Sequence, residues 1–174
     1  MDRARKQRLI IGLSGASGAQ LAVDALEFLK TTDIETHLVS SKTGVQTLHY
    51  ETDVSFSHLK SLADHYHHNE DFTAAIASGS FETMGMLLIP CSVKSMAEIA
   101  SGVGASLLTR AADVVLKERR KLVLMVREAP LSLIHIRNME TITLMGGIIF
   151  PPLPIYYAKP QSIDQMNKQI LGRA

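Results

Sequence analysis

The sequence predicts a three-layer α/β fold with a mainly parallel sheet, on three observations. Short apolar runs recur along the chain, with room for a helix between successive runs. The runs are nearly continuous in apolar residues rather than alternating, as strands buried on both faces are. The segments flanking them show the three-to-four-residue apolar spacing of helices that bury one face. The expected strands cover residues 9–13, 34–39, 84–89, 122–126 and 147–150.

The first strand runs directly into Gly12-Leu13-Ser14-Gly15-Ala16-Ser17-Gly18, after which Leu21, Ala22, Ala25, Leu26 and Leu29 share one helical face. A strand that feeds a small-residue turn and then a helix has the build of a phosphate cradle, because backbone N–H groups and the helix dipole favour an anion there. The spacing differs from the G-x-G-x-x-G of dinucleotide binders, so a tight turn without a ligand stays open at this point. The stretch 51–80 is the least regular and reads as a short helix near 57–63 followed by a polar loop. A helix begins near Ser106 and carries Arg110, Asp113 and Lys117 on one face, either a solvated face or part of a site. The last helix opens on Ser162-Ile163-Asp164-Gln165, a capping-box pattern, and aligns Ile163, Met166, Ile170 and Leu171.

Length and composition narrow the function. With 174 residues, 46% of them hydrophobic and 20% charged, the chain reads as a single globular domain over 1–174 with a substantial core. A net charge of +1 with scattered basic residues gives no electrostatic case for nucleic acid. No apolar run approaches the ~18 residues of a membrane span, and the basic start is followed by too short an apolar run for a signal peptide. A cytoplasmic location is expected. The lone Cys91 excludes an internal disulfide and a Cys-x-x-Cys pair and reads as structural. His65-Tyr66-His67-His68-Asn69-Glu70-Asp71 lacks the i, i+4 His pair of a helical zinc site and sits where no element is evident, so no metal is assigned. His135 reads as a helix histidine at an element edge, and the eight Met as core filler.

In open parallel sheets ligands bind beyond the carboxyl ends of the strands. The residues following the expected strands form a consistent set: Gly15-Ala16-Ser17, Ser40-Ser41-Lys42, Pro90-Cys91-Ser92-Val93-Lys94-Ser95, Arg127-Glu128-Ala129-Pro130 and Pro151-Pro152-Leu153-Pro154. Four of these five segments offer hydroxyl or anion-binding groups.

Together with Glu51-Thr52-Asp53, the run from Arg110 through Lys117 to Arg120, and Tyr157 followed by Pro160-Gln161-Ser162, this set resembles the UbiX family of flavin prenyltransferases over nearly the whole chain. The resemblance implies a Rossmann-like flavoprotein that joins a dimethylallyl group from dimethylallyl phosphate to reduced FMN. The product, prenylated FMN, would serve a UbiD-type decarboxylase. On this resemblance Gly15, Ala16, Ser17, Ser41, Ser92, Val93, Lys94, Ser95 and Arg127 contact FMN, with Arg110 nearby. Tyr157 and Arg173 contact the prenyl phosphate, with Lys117, Arg127 and Glu128 completing that pocket. Ser17 and Glu51 handle protons beside the flavin, and Lys117 and Glu128 also count as catalytic. No metal is expected. A homo-oligomer of at least three copies, up to a dodecamer, is implied. The rival readings are an FMN-dependent cysteine decarboxylase, which would leave Lys117, Arg127, Glu128 and Tyr157 unexplained, and a non-catalytic flavin-carrying subunit of an aromatic acid decarboxylase.

Overall fold

The computed structural model describes residues 6–174; the first five residues, which hold part of the basic start, lie outside the described residues. Six strands, β1 (Arg8–Leu13), β2 (Glu35–Ser40), β3 (His65–His67), β4 (Gly85–Cys91), β5 (Lys121–Val126) and β6 (Ile148–Ile149), form one sheet in the order β3-β2-β1-β4-β5-β6. Every pairing is parallel. The strand order reverses direction between β1 and β4, which opens a crevice above their carboxyl ends.

The helices are α1 (Gln20–Leu29), α2 (Lys42–Glu51), α3 (Phe56–Leu62), α4 (Val93–Ala100), α5 (Leu107–Lys117), α6 (Leu133–Leu144) and α7 (Ile163–Leu171). They cover both faces because successive strand residues point to opposite sides. Ile11, Leu13 and Leu38 pack with apolar residues of α1, α2, α3 and α7. Ile10, Val39, Met86 and Leu88 pack on the other side with α4, α5 and α6. Both faces of the central strands are therefore dry, which is why β1, β4 and β5 read as nearly unbroken apolar runs, while β2 contributes only Leu38 and Val39 to them.

Four expectations need adjustment. The polar loop after the short helix contains β3, whose three residues pair with His37, Leu38 and Val39 of β2 at the sheet edge. Its His-Tyr-His sequence carries no apolar run, so periodicity could not show it. The last strand shrinks to two residues. The capping box of α7 is half made, since Ser162 Oγ accepts from Gln165 N–H but the Gln165 side chain accepts from Gln161 N–H instead. Of the methionines, Met86, Met96 and Met125 are core residues, whereas Met84 is exposed. His135 makes the expected edge contact as part of the α6 capping box, its ring Nδ1 accepting from Ser132 N–H.

Candidate active site

The crevice is built on a serine that lies between the two central strands. Ser14, fully buried at the end of β1, donates its hydroxyl to Pro90 O at 3.0 Å and accepts from Ser92 N–H at 2.7 Å. These bonds hold the turn after β1 against the turn after β4. Ser92 then caps α4, its hydroxyl accepting from Ser95 N–H and donating to Ser95 Oγ, both at 3.2 Å. On the other flank Ser41 caps α2 by accepting from Gly44 N–H at 3.0 Å, and its hydroxyl lies 3.1 Å from Thr43 Oγ1. A Cβ on Gly15 would come within 2.5 Å of the Thr43 side chain, so only glycine lets the β1 turn lie this close to α2. The Gly15–Ser17 turn, Ser41 and Ser92 thus converge on one rim.

The first turn of α1 holds an unexpected occupant. Its N-cap is Ala19, which offers no side-chain acceptor. The Glu51 carboxylate, from the end of α2, accepts instead from Gly18 N–H at 2.7 Å and Ala19 N–H at 3.0 Å. Burial pushes this carboxyl up, but the Ser17 hydroxyl, the two amides and the nearby Arg127 charge outweigh that, and it lies below the usual carboxylate range. The anion expected over α1 is therefore a carboxylate of the chain itself. A second anion would be repelled from that spot, which leaves the N-termini of α2 and α4 as the amide-rich places for a phosphate. Arg127 joins this group: Gly18 takes φ +109°, and a Cβ there would sit 3.6 Å from Arg127 Cδ.

The remaining expected site residues make the following contacts. Lys94, in the first turn of α4, is 81% exposed and pairs with Glu98 at 2.9 Å, a solvent-screened contact along its own helix. Arg110 donates to Ala77 O at 3.3 Å and pairs with Asp113 at 2.6 Å, which ties α5 to the loop before β4. Lys117 is bonded to Glu118 beside Gly79, at the end of α5 that leads into β5. The first residue of β5 pairs with the first residue of β4, so Lys117 lies at the amino edge of the sheet. Six strand residues separate that edge from Arg127, roughly 20 Å at ~3.3 Å each. Within one chain Lys117 and Arg127 therefore lie too far apart to share a phosphate. The spacing of Arg110, Asp113 and Lys117 placed them on one helix face without telling which end of the sheet that face meets.

Glu128 is exposed, and its carboxylate accepts from Ala129 N–H at 3.0 Å. Tyr157 is exposed on a 3₁₀ turn, Tyr156–Ala158. Arg173 lines a cavity of about 210 Å³ whose other walls are apolar, among them Phe150, Leu153, Ile155 and Ile170. Cys91 is fully buried, and burial pushes its thiol far above the usual range, so it has no nucleophilic thiolate. Sequence reasoning missed Ser14; its only signal is a serine at the last position before the glycine turn.

The comparisons with known proteins agree with this geometry. The Flavoprotein family profile matches residues 1–174. A flavin prenyltransferase UbiX of Neisseria meningitidis serogroup B is 54% identical over 168 residues, covering 97% of this chain and 89% of that protein. The crystal structure of AnUbiX (PadA1) in complex with FMN and dimethylallyl pyrophosphate superposes with a TM-score of 0.96 at 47% identity, covering 97% of this chain and 90% of that one. The dodecameric FMN-dependent UbiX-like decarboxylase of Escherichia coli O157:H7 superposes with a TM-score of 0.94 at 46% identity, covering 96% and 92% of the two chains. Sheet order, crevice and near-full-length identity converge, and the chain belongs to the UbiX-type flavin prenyltransferase family of flavoproteins.

Proposed function

We propose that this chain is a flavin prenyltransferase that joins the dimethylallyl group of dimethylallyl phosphate to reduced FMN and releases phosphate and prenylated FMN. The observation that carries the reading is the rim at the switch point between β1 and β4, where Gly15, Ala16, Ser17, Ser41 and the Ser92–Ser95 turn converge around two serine-capped helix N-termini. Such a rim fits the ribityl phosphate of FMN. The rival chemistry of cysteine decarboxylation is not favoured, because relatives about half identical over nearly the whole chain are flavin prenyltransferases.

Reduced FMN supplies the nucleophilic ring nitrogen and an aromatic surface for the allylic cation. The chain supplies position and charge. Breaking the allylic C–O bond concentrates negative charge on the departing phosphate, which fixed cations stabilise. Arg127, at the rim, and Arg173, beside an apolar cavity, are the cations offered by the same chain, with Tyr157 and Glu128 near the loops that follow β5 and β6. Glu51, which accepts from the Gly18 and Ala19 amides beside Ser17, stays ionised near neutral pH and can accept a proton beside the flavin. Lys117 acts in the site of a neighbouring copy, since its own crevice lies out of reach. An oligomer is supported by α6, which exposes Leu133, Ile134, Ile136 and Leu144, and by the dodecameric relative. The product would serve a UbiD-type decarboxylase in the cytoplasm. Among the described residues no helix is long and apolar enough to cross a membrane.

The decisive experiment is anaerobic incubation of the purified chain with reduced FMN and dimethylallyl phosphate, followed by mass spectrometry of the released flavin. A flavin heavier by one isoprene unit is expected. Unmodified flavin, bound and released intact, would replace this reading with that of a flavin-carrying subunit.

A further inference from the structure

At the lateral edge of the sheet, where β3 pairs with β2, four ionisable groups face one another across two strands. Glu35 and His37 lie two residues apart on β2 and His65 and His67 two residues apart on β3, so each pair points to one face. The parallel register sets His37 directly beside His65. The rings of His65 and His67 lie 4.6 and 5.3 Å from that of His37 and nearly parallel to it. Glu35 Oε1 is 3.0 Å from His37 Nε2 and 3.6 Å from His65 Nε2, and one ligand atom from each of Glu35, His37 and His65 lies within 4.8 Å of the others.

We propose that Glu35, His37 and His65 form a binding site for a divalent transition-metal ion of the zinc class. Ligand atoms on a tetrahedral ion with bonds of ~2.0–2.2 Å stand roughly 3.3 Å apart, close to the two measured separations. The third separation closes by rotation of His65, whose side chain is 52% exposed and leaves an entry path from solvent. Two imidazoles and one carboxylate suit zinc or its neighbours, not magnesium or calcium, and leave a fourth position for water.

The surroundings supply what such a site needs. His67 Nε2 lies 2.9 Å from His37 Nδ1, so in the tautomer that frees His37 Nε2 for the ion, His37 Nδ1–H donates to His67. Arg8 Nε donates to Glu35 Oε1 at 3.1 Å and steadies the carboxylate, its guanidinium stacked 4.6 Å over Phe81. Phe81 in turn meets the edge of His37 at 5.0 Å and closes the inner wall. The histidine run looked unsuited to metal because its own spacing lacks a helical pair; the ligands come instead from two strands.

The test is titration of the chelator-treated, full-length protein with Zn²⁺, with Mg²⁺ as the control, and the visible spectrum of the Co²⁺ form. Stoichiometric Zn²⁺ binding and the intense bands of four-coordinate Co²⁺ are expected, with no response to Mg²⁺. His65→Gln, at an exposed position outside the flavin rim, should weaken Zn²⁺ binding by more than roughly tenfold while FMN binding is unchanged. Glu35→Gln should do the same. His67→Leu should weaken binding roughly 10–100-fold and His67→Gln, which keeps an acceptor, should restore most of it. Absence of stoichiometric Zn²⁺ binding overturns the proposal, as does wild-type affinity in His65→Gln. Should Glu35→Gln fail to fold, the His65 variant and the Co²⁺ spectrum decide.

Discussion

Replacing Ser14 by alanine tests whether the crevice depends on the bond between the two central turns. The variant loses the hydroxyl that donates to Pro90 O and accepts from Ser92 N–H. Pro90 O keeps a second donor in Ser14 N–H at 3.2 Å, so that side costs only an ordinary hydrogen bond. Ser92 N–H loses its acceptor in a partly buried setting. With about 0.5–1.5 kcal/mol for the first loss and about 1–3 kcal/mol for the orphaned donor, destabilisation of about 2–4 kcal/mol is expected. For a chain of this length that lowers Tm by on the order of 10 °C. Urea unfolding at fixed protein concentration, followed by circular dichroism, measures it. FMN affinity, read by flavin fluorescence, should fall too, because the amides at the start of α4 would no longer be held beside the β1 turn. A stability change under about 0.5 kcal/mol, the level of an ordinary surface substitution, would refute the reasoning.

Glu51→Gln should leave FMN bound but slow prenyl transfer by roughly 10²–10⁴-fold in single-turnover assays, as loss of a proton-handling group does. The folded-state pKa of Glu51 is depressed, so its stabilisation is present above the ordinary carboxylate range and is lost as pH falls through the lower folded value; the unfolding midpoint of Glu51→Gln should therefore converge with that of the wild type at acid pH. Lys117→Ala should cut prenyl transfer by roughly 10²–10³-fold without changing FMN affinity. Mixed oligomers of Lys117→Ala with Arg127→Ala should regain part of the activity that each lacks alone, and complete inactivity of the mixture would count against a shared site. Cys91 should resist thiol reagents in the folded protein and react only on unfolding, which a colorimetric thiol assay follows.

Periodicity carried the central strands well, because β1, β4 and β5 are buried on both faces and their apolar runs have no competing explanation. It failed at β3, where pairing with β2 is made by residues that look like loop. The converging serines were legible as a set, since a position just after a strand is defined by the local pattern. What Ser14 does was not, since it acts only through a turn 76 residues away. Lys117 shows the same limit in another form. Helical spacing fixes which residues share a face, whereas the end of the sheet they reach depends on the turn that follows α5.

That α1 is closed by Glu51, 32 residues after its own N-cap, bears on the order of folding. A helix with no side-chain acceptor of its own leaves its first amides to water until β2 is paired and α2 has docked, so β1, α1, β2 and α2 should gain protection from exchange together. In native-state hydrogen exchange the amides of Gly18 and Ala19 would then report the opening of α2, and Glu51→Ala would accelerate their exchange while the amides of β4 and β5 keep wild-type rates.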